Sequence, residues 1–375
     1  MSAFIAPGRA RSARLLRMAT ALIAIASMTA YVQAQFVSSG KQVQGMGLAG
    51  YQEGVWIGAL VIALYVVLGG YAAVAFTDLI QGLLMVTVLV VFPLWGMFLV
   101  GGPVALLERA SALGLTHLWG TASPVLDAAA GVALGYLVSE GLGIAFGYFG
   151  MPHVVIRYFT VRDAREGARA GLIAVLWAVC AYFGAVTLGL VGRVLVEEAR
   201  LPAPADQEKI LPLFAATFLP PLVAGVVLAA VTAAIMSTAD SQLMYASTTL
   251  VEDLLPEGWL ERFPERTRVW IMRGAIAGMS GVALALALAG QQFIYRFVLD
   301  AWGVLGAIFS PAVLLALYDR RYTLASGWAC LLAGLGTLAI WKSLGLTEYA
   351  YALFPAFLVG LAAGYLVPRV LQKNS

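Results

Sequence analysis

Apolar residues run for about twenty positions at a time along this chain, with short polar segments between the runs. A bilayer core of about 30 Å takes roughly 20 helical residues to cross, so each run predicts a spanning helix. Ten are legible: 13–36, 54–72, 76–100, 126–150, 169–194, 217–245, 269–289, 294–318, 324–342 and 351–370. They lack the short, alternating pattern of barrel strands, which predicts an all-α integral membrane protein. In "LGGYAAVAFTDLIQGLLM" the pair Gly69–Gly70 predicts a tight turn between the second and third spans. The first run has a rival reading. Its arginines, apolar stretch and small-x-small ending at Val32–Ala34 fit a secretory signal peptide. The apolar portion continues past Tyr31 to Phe36, which favours a retained helix.

Composition narrows the class. With 61% apolar and 11% charged residues and a mean hydropathy of +0.88, the chain lies far outside soluble norms. A net charge of +3 is too small to point to nucleic acid. The two cysteines, Cys180 and Cys330, lie inside apolar runs, and the two histidines fall in loops, His117 outer and His153 inner. These give no material for a disulfide framework, a zinc site or a convergent catalytic set, so no enzyme is expected. With the N-terminus cytoplasmic, sixteen of the 23 Lys and Arg fall in inner segments. Both termini are therefore expected on the cytoplasmic side of the cell (inner) membrane. Glu197, Glu198, Asp206 and Glu208 then share an outer loop.

Three stretches carry polar chemistry where lipid should reject it. In "AAIMSTADSQL", residues 233–243, Ala234, Ser237, Thr238 and Ser241 follow i, i+3, i+4, i+7 spacing and share one helix face. Asp240 lies about 60° round from Ser237. Two hydroxyls and a carbonyl one turn back are hard oxygen ligands of the kind a dehydrated small cation requires. A carboxylate at a helix centre costs about 2.5–3.5 kcal/mol on insertion scales, and such residues commonly mark ion or proton pathways. The alternative is that the hydroxyls bond back to their own helix and Asp240 caps its cytoplasmic end. Asp78 is a second acid, at the start of the third run with Thr77 and Gln81; an N-terminal cap is the competing role. In "IAFGYFGMPHVVIRYFTVRDAREGARAG", residues 144–171, Gly147, Gly150 and Pro152 flank aromatic residues. Such loosened backbone is tolerated in a membrane where protein or a water-filled cavity supplies hydrogen bonds. An interfacial aromatic belt is the other reading.

Taken together, "GGYAAVAFTDLIQGLLM", "GYFGMPHVVIRYF" and "AAIMSTADSQLMYASTTLVEDLL" resemble, in order and spacing, the sodium:solute symporter family, most closely its sodium/proline branch. "LDAWGVLGAIFSPAVLLALY" and "LAIWKSLGLTEYAYALFPAFLVG" extend the resemblance to the C-terminus. It implies a leucine-transporter-type core of two inverted five-helix repeats, with ion and solute held midway across the membrane. Residues 13–100 would be the remainder of the first repeat, 126–318 the second, and 324–370 two accessory helices, all in one transmembrane domain. By the same resemblance, sodium binds the Ala234 carbonyl and the hydroxyls of Ser237 and Thr238. A second cation or proton site would use Asp78, Asp240 and Ser241, and Tyr31, Tyr148 and Pro152 would face the solute.

The pattern departs from the family in several places. Asp240 stands where relatives carry a hydroxyl, which brings a proton into consideration. Ile144 replaces a tryptophan and Met151 a glutamine, both near the expected solute site. The same resemblance implies about thirteen spans, and the three that would precede Arg14 are absent from this sequence. A truncated or late-started gene is expected, with a separate polypeptide supplying those helices as the alternative. The function implied is sodium-coupled symport of a small organic solute, proline or a related amino acid first and an acetate-like monocarboxylate second. An inactive remnant and a transporter-like sensor module are the other readings. No cofactor beyond sodium as coupling ion is implied.

Overall fold

The computed structural model describes residues 5–8, 11–115, 130–256, 258–290 and 293–373. Every regular element among them is helical. The principal helices are α1 (Arg11–Gly45), α2 (Tyr51–Leu99), α3 (Pro103–Ala112), α4 (Ala130–Gly147), α5 (Pro152–Tyr158) and α6 (Ala164–Glu197). They continue as α7 (Ile210–Phe218), α8 (Pro221–Thr249), α9 (Glu265–Leu288), α10 (Ile294–Tyr318), α11 (Leu324–Ser343) and α12 (Leu353–Lys373). Nine stretches among the described residues are long and apolar enough to cross a membrane. The tenth expected run, 126–150, begins outside the described residues, as does His117, and reappears as α4. The chain is thus an all-helical, multi-pass membrane protein.

Two boundaries differ from those the apolar pattern predicts. The turn expected at Gly69–Gly70 is replaced by helical hydrogen bonding that runs unbroken from Tyr51 to Leu99. A straight helix of 49 residues would reach about 73 Å. Yet Gly45, just before it, lies against Pro212, and Gly96, near its far end, lies against Phe214. Both ends return to α7, so the element bends; glycine lacks the Cβ that would oppose bending, and the helix need not break. Its two candidate spans are Tyr51–Gly69 and Val74–Leu99. The first helix also extends nine residues beyond Phe36, because Ser39, Lys41 and Gln42 are buried rather than solvated. Apolarity alone cannot mark an end that tertiary partners carry onward.

The core sits where α1, α8 and α10 meet, with Met28, Phe36, Leu243, Leu305 and Phe309 fully enclosed. A second cluster joins α2, α6 and α7 through Phe92, Val191, Leu195 and Phe214. Small residues let backbones approach, as is usual where lipid gives helices no hydrophobic reason to associate. A methyl on Gly54 would meet Gly40 Cα at 2.9 Å, and one on Gly184 would overlap the Leu89 carbonyl. α8 packs on both α1 and α2, and its Asp240 and Gln242 are fully buried.

Candidate ion and solute site

Midway along α8 the Ala234 carbonyl accepts two hydrogen bonds, from Ser237 Oγ at 3.2 Å and Thr238 Oγ1 at 2.9 Å. The back-bonded alternative drawn from the sequence is therefore present, and it gathers the three expected oxygens into one cluster. Ser237 and Thr238 are half-buried. If the two hydroxyls rotate their protons away, the carbonyl and both oxygens present lone pairs to a common point. The helix that carries them packs against α1 and α2.

Asp240 does not cap a helix end. α8 runs on to Thr249 and a π-helical turn at Leu250–Leu254, and Asp240 is 0% exposed. Its Oδ1 accepts from Ser241 Oγ at 3.2 Å, while Oδ2 has no partner. Asp78 lies deep within α2 rather than at a helix start, so the capping role fails there too. Thr77 turns its hydroxyl onto the Val74 carbonyl instead. Asp78 Oδ2 is paired with the guanidinium of Arg157, and the same Arg157 Nη2 reaches Ser241 Oγ at 2.5 Å. Asp78 Oδ1, Asp240 Oδ2 and Tyr65 Oη are buried without partners, and Asp78 and Asp240 lie within electrostatic reach of Tyr65 and of each other. The second expected trio is thereby brought together and joined by Arg157, a residue outside the set expected from the sequence. The available signal is its place in "PHVVIRYF", one turn and a half past Pro152.

The glycines and proline after α4 break the helix as expected. α4 ends at Gly147, a 3₁₀ turn covers Tyr148–Gly150, and α5 restarts with Pro152 at its first position, where a missing N–H costs nothing. Ser310 Oγ of α10 donates to the freed Gly147 carbonyl at 3.1 Å, supplying the partner that lipid cannot. Tyr148 meets Trp302 edge to face, centroids 4.7 Å apart at 87°. Tyr31 of α1 has Trp302 and Tyr182 as polar neighbours, and Tyr148 has Tyr182 and Tyr31. Tyr31 and Tyr148 thus share one aromatic cluster, whereas buried Pro152 shapes the backbone. Trp302 and Tyr182 escaped the sequence reading. The indole N–H of Trp302 is buried and faces the Tyr31 hydroxyl. His153, expected in a loop, instead lies in α5 and lines a cavity together with Arg157.

On the opposite side from Arg157, the buried Lys41 ammonium contacts Asp206 at 2.8 Å and Glu208 at 2.5 Å. Glu208 also accepts from the backbone N–H groups of Ile294 and Tyr295 at 3.0 and 3.1 Å, at the start of α10. One ionic cluster therefore ties the end of α1 to the start of α10.

Comparisons with known proteins bear on the family and the fold. The model of the sodium:solute symporter family matches residues 4–334. The osmoregulated proline transporter OpuE of Bacillus subtilis (strain 168) is 30% identical over 96% of this chain and 72% of its own length. The high-affinity proline transporter PutP of the same organism is 31% identical over 96% and 74%, and a sodium/proline symporter of Staphylococcus aureus is 29% identical over 96% and 70%. Among solved structures, a substrate-bound outward-open Na⁺-coupled sialic acid symporter superposes with a TM-score of 0.72 at 19% identity. It covers 94% of this chain and 75% of that one. That likeness concerns the fold.

Proposed function

We propose, from the premise that this chain belongs to the sodium:solute symporter family, that it carries out sodium-coupled uptake of proline or a closely related amino acid. The observation that carries the ion assignment is the oxygen cluster of Ala234, Ser237 and Thr238 on α8, which packs against α1 and α2. The proline assignment is supported by the printed activities of relatives near 30% identity. Its family relationship also supports a transporter rather than an enzyme.

Sodium displaces the two hydroxyl protons from the Ala234 carbonyl and takes all three oxygens as ligands. Because α8 adjoins α1 and α2, a cation there favours one arrangement of these helices over another. Coupling requires that difference, since an ion bound equally in both states shifts nothing. The ion gradient and the membrane potential, about 2.3 kcal/mol per charge per 100 mV, then drive accumulation. Asp78, Asp240 and Ser241 form a second charge-binding site for a cation or a proton. Tyr31 and Tyr148 contact the solute across the broken α4–α5 segment, with Pro152 fixing the break. The protein lies in the inner membrane with both termini cytoplasmic, in two inverted-repeat portions, 13–100 and 126–318, followed by the accessory pair at 324–370.

The test is labelled-proline uptake into proteoliposomes under an imposed sodium gradient. Ser237→Ala with Thr238→Ala is expected to abolish sodium-dependent uptake while membrane insertion is kept; uptake that stays sodium-dependent refutes the ion site. Excess unlabelled proline should compete with the label, and competition by acetate but not proline would move the substrate to the monocarboxylates.

A further inference from the structure

Two of the three side chains in the second charge-binding site already hold a positive charge. Arg157 Nη2 bridges Asp78 Oδ2 and Ser241 Oγ, joining α5 to α2 and α8. The Asp78 side chain is only 10% exposed, against 48% for Arg157. A cavity of about 250 Å³, lined by Val74, His153, Arg157, Thr160, Ser241 and Tyr245, lies against this guanidinium. Arg157 therefore stands between a cavity and the buried acids. On the acid side, Asp78 Oδ1, Asp240 Oδ2 and Tyr65 Oη have no partners.

A guanidinium keeps its charge at any physiological pH and satisfies carboxylate and hydroxyl oxygens at once. It is attached to the chain, so its local concentration far exceeds that of a free ion. A sodium ion using the same Asp78 and Ser241 oxygens would sit within bonding distance of a second positive charge, and that repulsion is strong where the dielectric is low. From this geometry we infer that Arg157 is a tethered cation occupying the second ion position, so that each chain binds one sodium rather than two. This rests on the symporter reading above and sets its coupling number. The tether also explains the location on α5. That short helix follows the break at Gly147–Pro152, so a movement of the broken segment that admits solute would carry the charge off Asp78.

Equilibrium binding of radioactive sodium to the purified full chain counts the ions. The wild type is expected to bind one, lost in Ser237→Ala/Thr238→Ala. Arg157→Gln is expected to bind two, Arg157→Lys one, and Arg157→Gln/Asp78→Asn one again. A wild-type count of two, or an Arg157→Gln count that stays at one while the wild-type ion is lost in Ser237→Ala/Thr238→Ala, overturns the arginine assignment and leaves the first site standing. A wild type that binds no sodium overturns both. Should Arg157→Gln not be recovered folded, Asp78→Asn alone decides: the count stays at one if Asp78 holds the arginine, and a lost sodium overturns the inference.

Discussion

A methyl group on Gly150 would lie 2.5 Å from Ser310 Oγ and 3.1 Å from the Leu305 carbonyl. That is the same serine whose hydroxyl satisfies the Gly147 carbonyl, so one residue both fills the space and repairs the helix break. Gly150→Ala should therefore cost about 1–3 kcal/mol, the range for an overpacked core. Its thermal unfolding midpoint in detergent should fall, and uptake should fall with it; a Gly150→Ala protein as stable as the wild type would show that the break tolerates displacement. The ion cluster follows a different logic. Ser237 and Thr238 are expendable for folding, since each merely bonds back within α8, and their joint loss should reach transport and not stability.

Elements are joined by charge at one end of the bundle. Lys41 is 4% exposed on α1, and its partners Asp206 and Glu208 reach it from a 3₁₀ turn that also caps α10. Removing one member of such a cluster leaves buried charge uncompensated, a loss of about 3–5 kcal/mol. Lys41→Met is thus expected to lower the unfolding midpoint, and adding Asp206→Asn and Glu208→Gln should recover part of it. The pH dependence has a definite sign. Burial alone would raise the Asp206 carboxyl, but the Lys41 hydrogen bond and charge outweigh it and hold the group below its ordinary 3.8. Its stabilisation is present above that value and is lost as pH falls through the depressed one. A melting curve taken downward in pH should show the loss in the wild type and not in Lys41→Met.

At the scale of the molecule, the arrangement of arginines fixes the expected orientation. In a background with Cys180→Ser and Cys330→Ala, Arg165→Cys should react with an impermeant maleimide only from the cytoplasmic side, and Glu198→Cys only from the outside. Labelling of both from one side would invert or disorder the topology. The Lys41 and Arg157 contacts meet different ends of α8, since Gln42, next to Lys41, donates to the Leu228 carbonyl while Arg157 reaches Ser241; in the expected orientation the first is outer and the second inner.

The apolar runs by themselves determined an all-helical membrane protein, because backbone polar groups in hydrocarbon must be satisfied within each segment. The 3.6-residue period likewise placed Ala234, Ser237 and Thr238 on one face, and the backbone chemistry of glycine and proline marked loosened helix at Gly147, Gly150 and Pro152. Tertiary structure alone decided the rest. A glycine pair allows a turn or a bend, and only packing against α7 shows that α2 bends. An aspartate near the start of an apolar run can cap a helix or face a charge, and only Arg157, 79 positions away along the chain, settles what Asp78 does. Trp302 belongs to an apolar stretch, and its ring becomes informative once packing sets it against Tyr31 and Tyr148. Local sequence carries periodicity and burial; which charges meet depends on how distant helices pack.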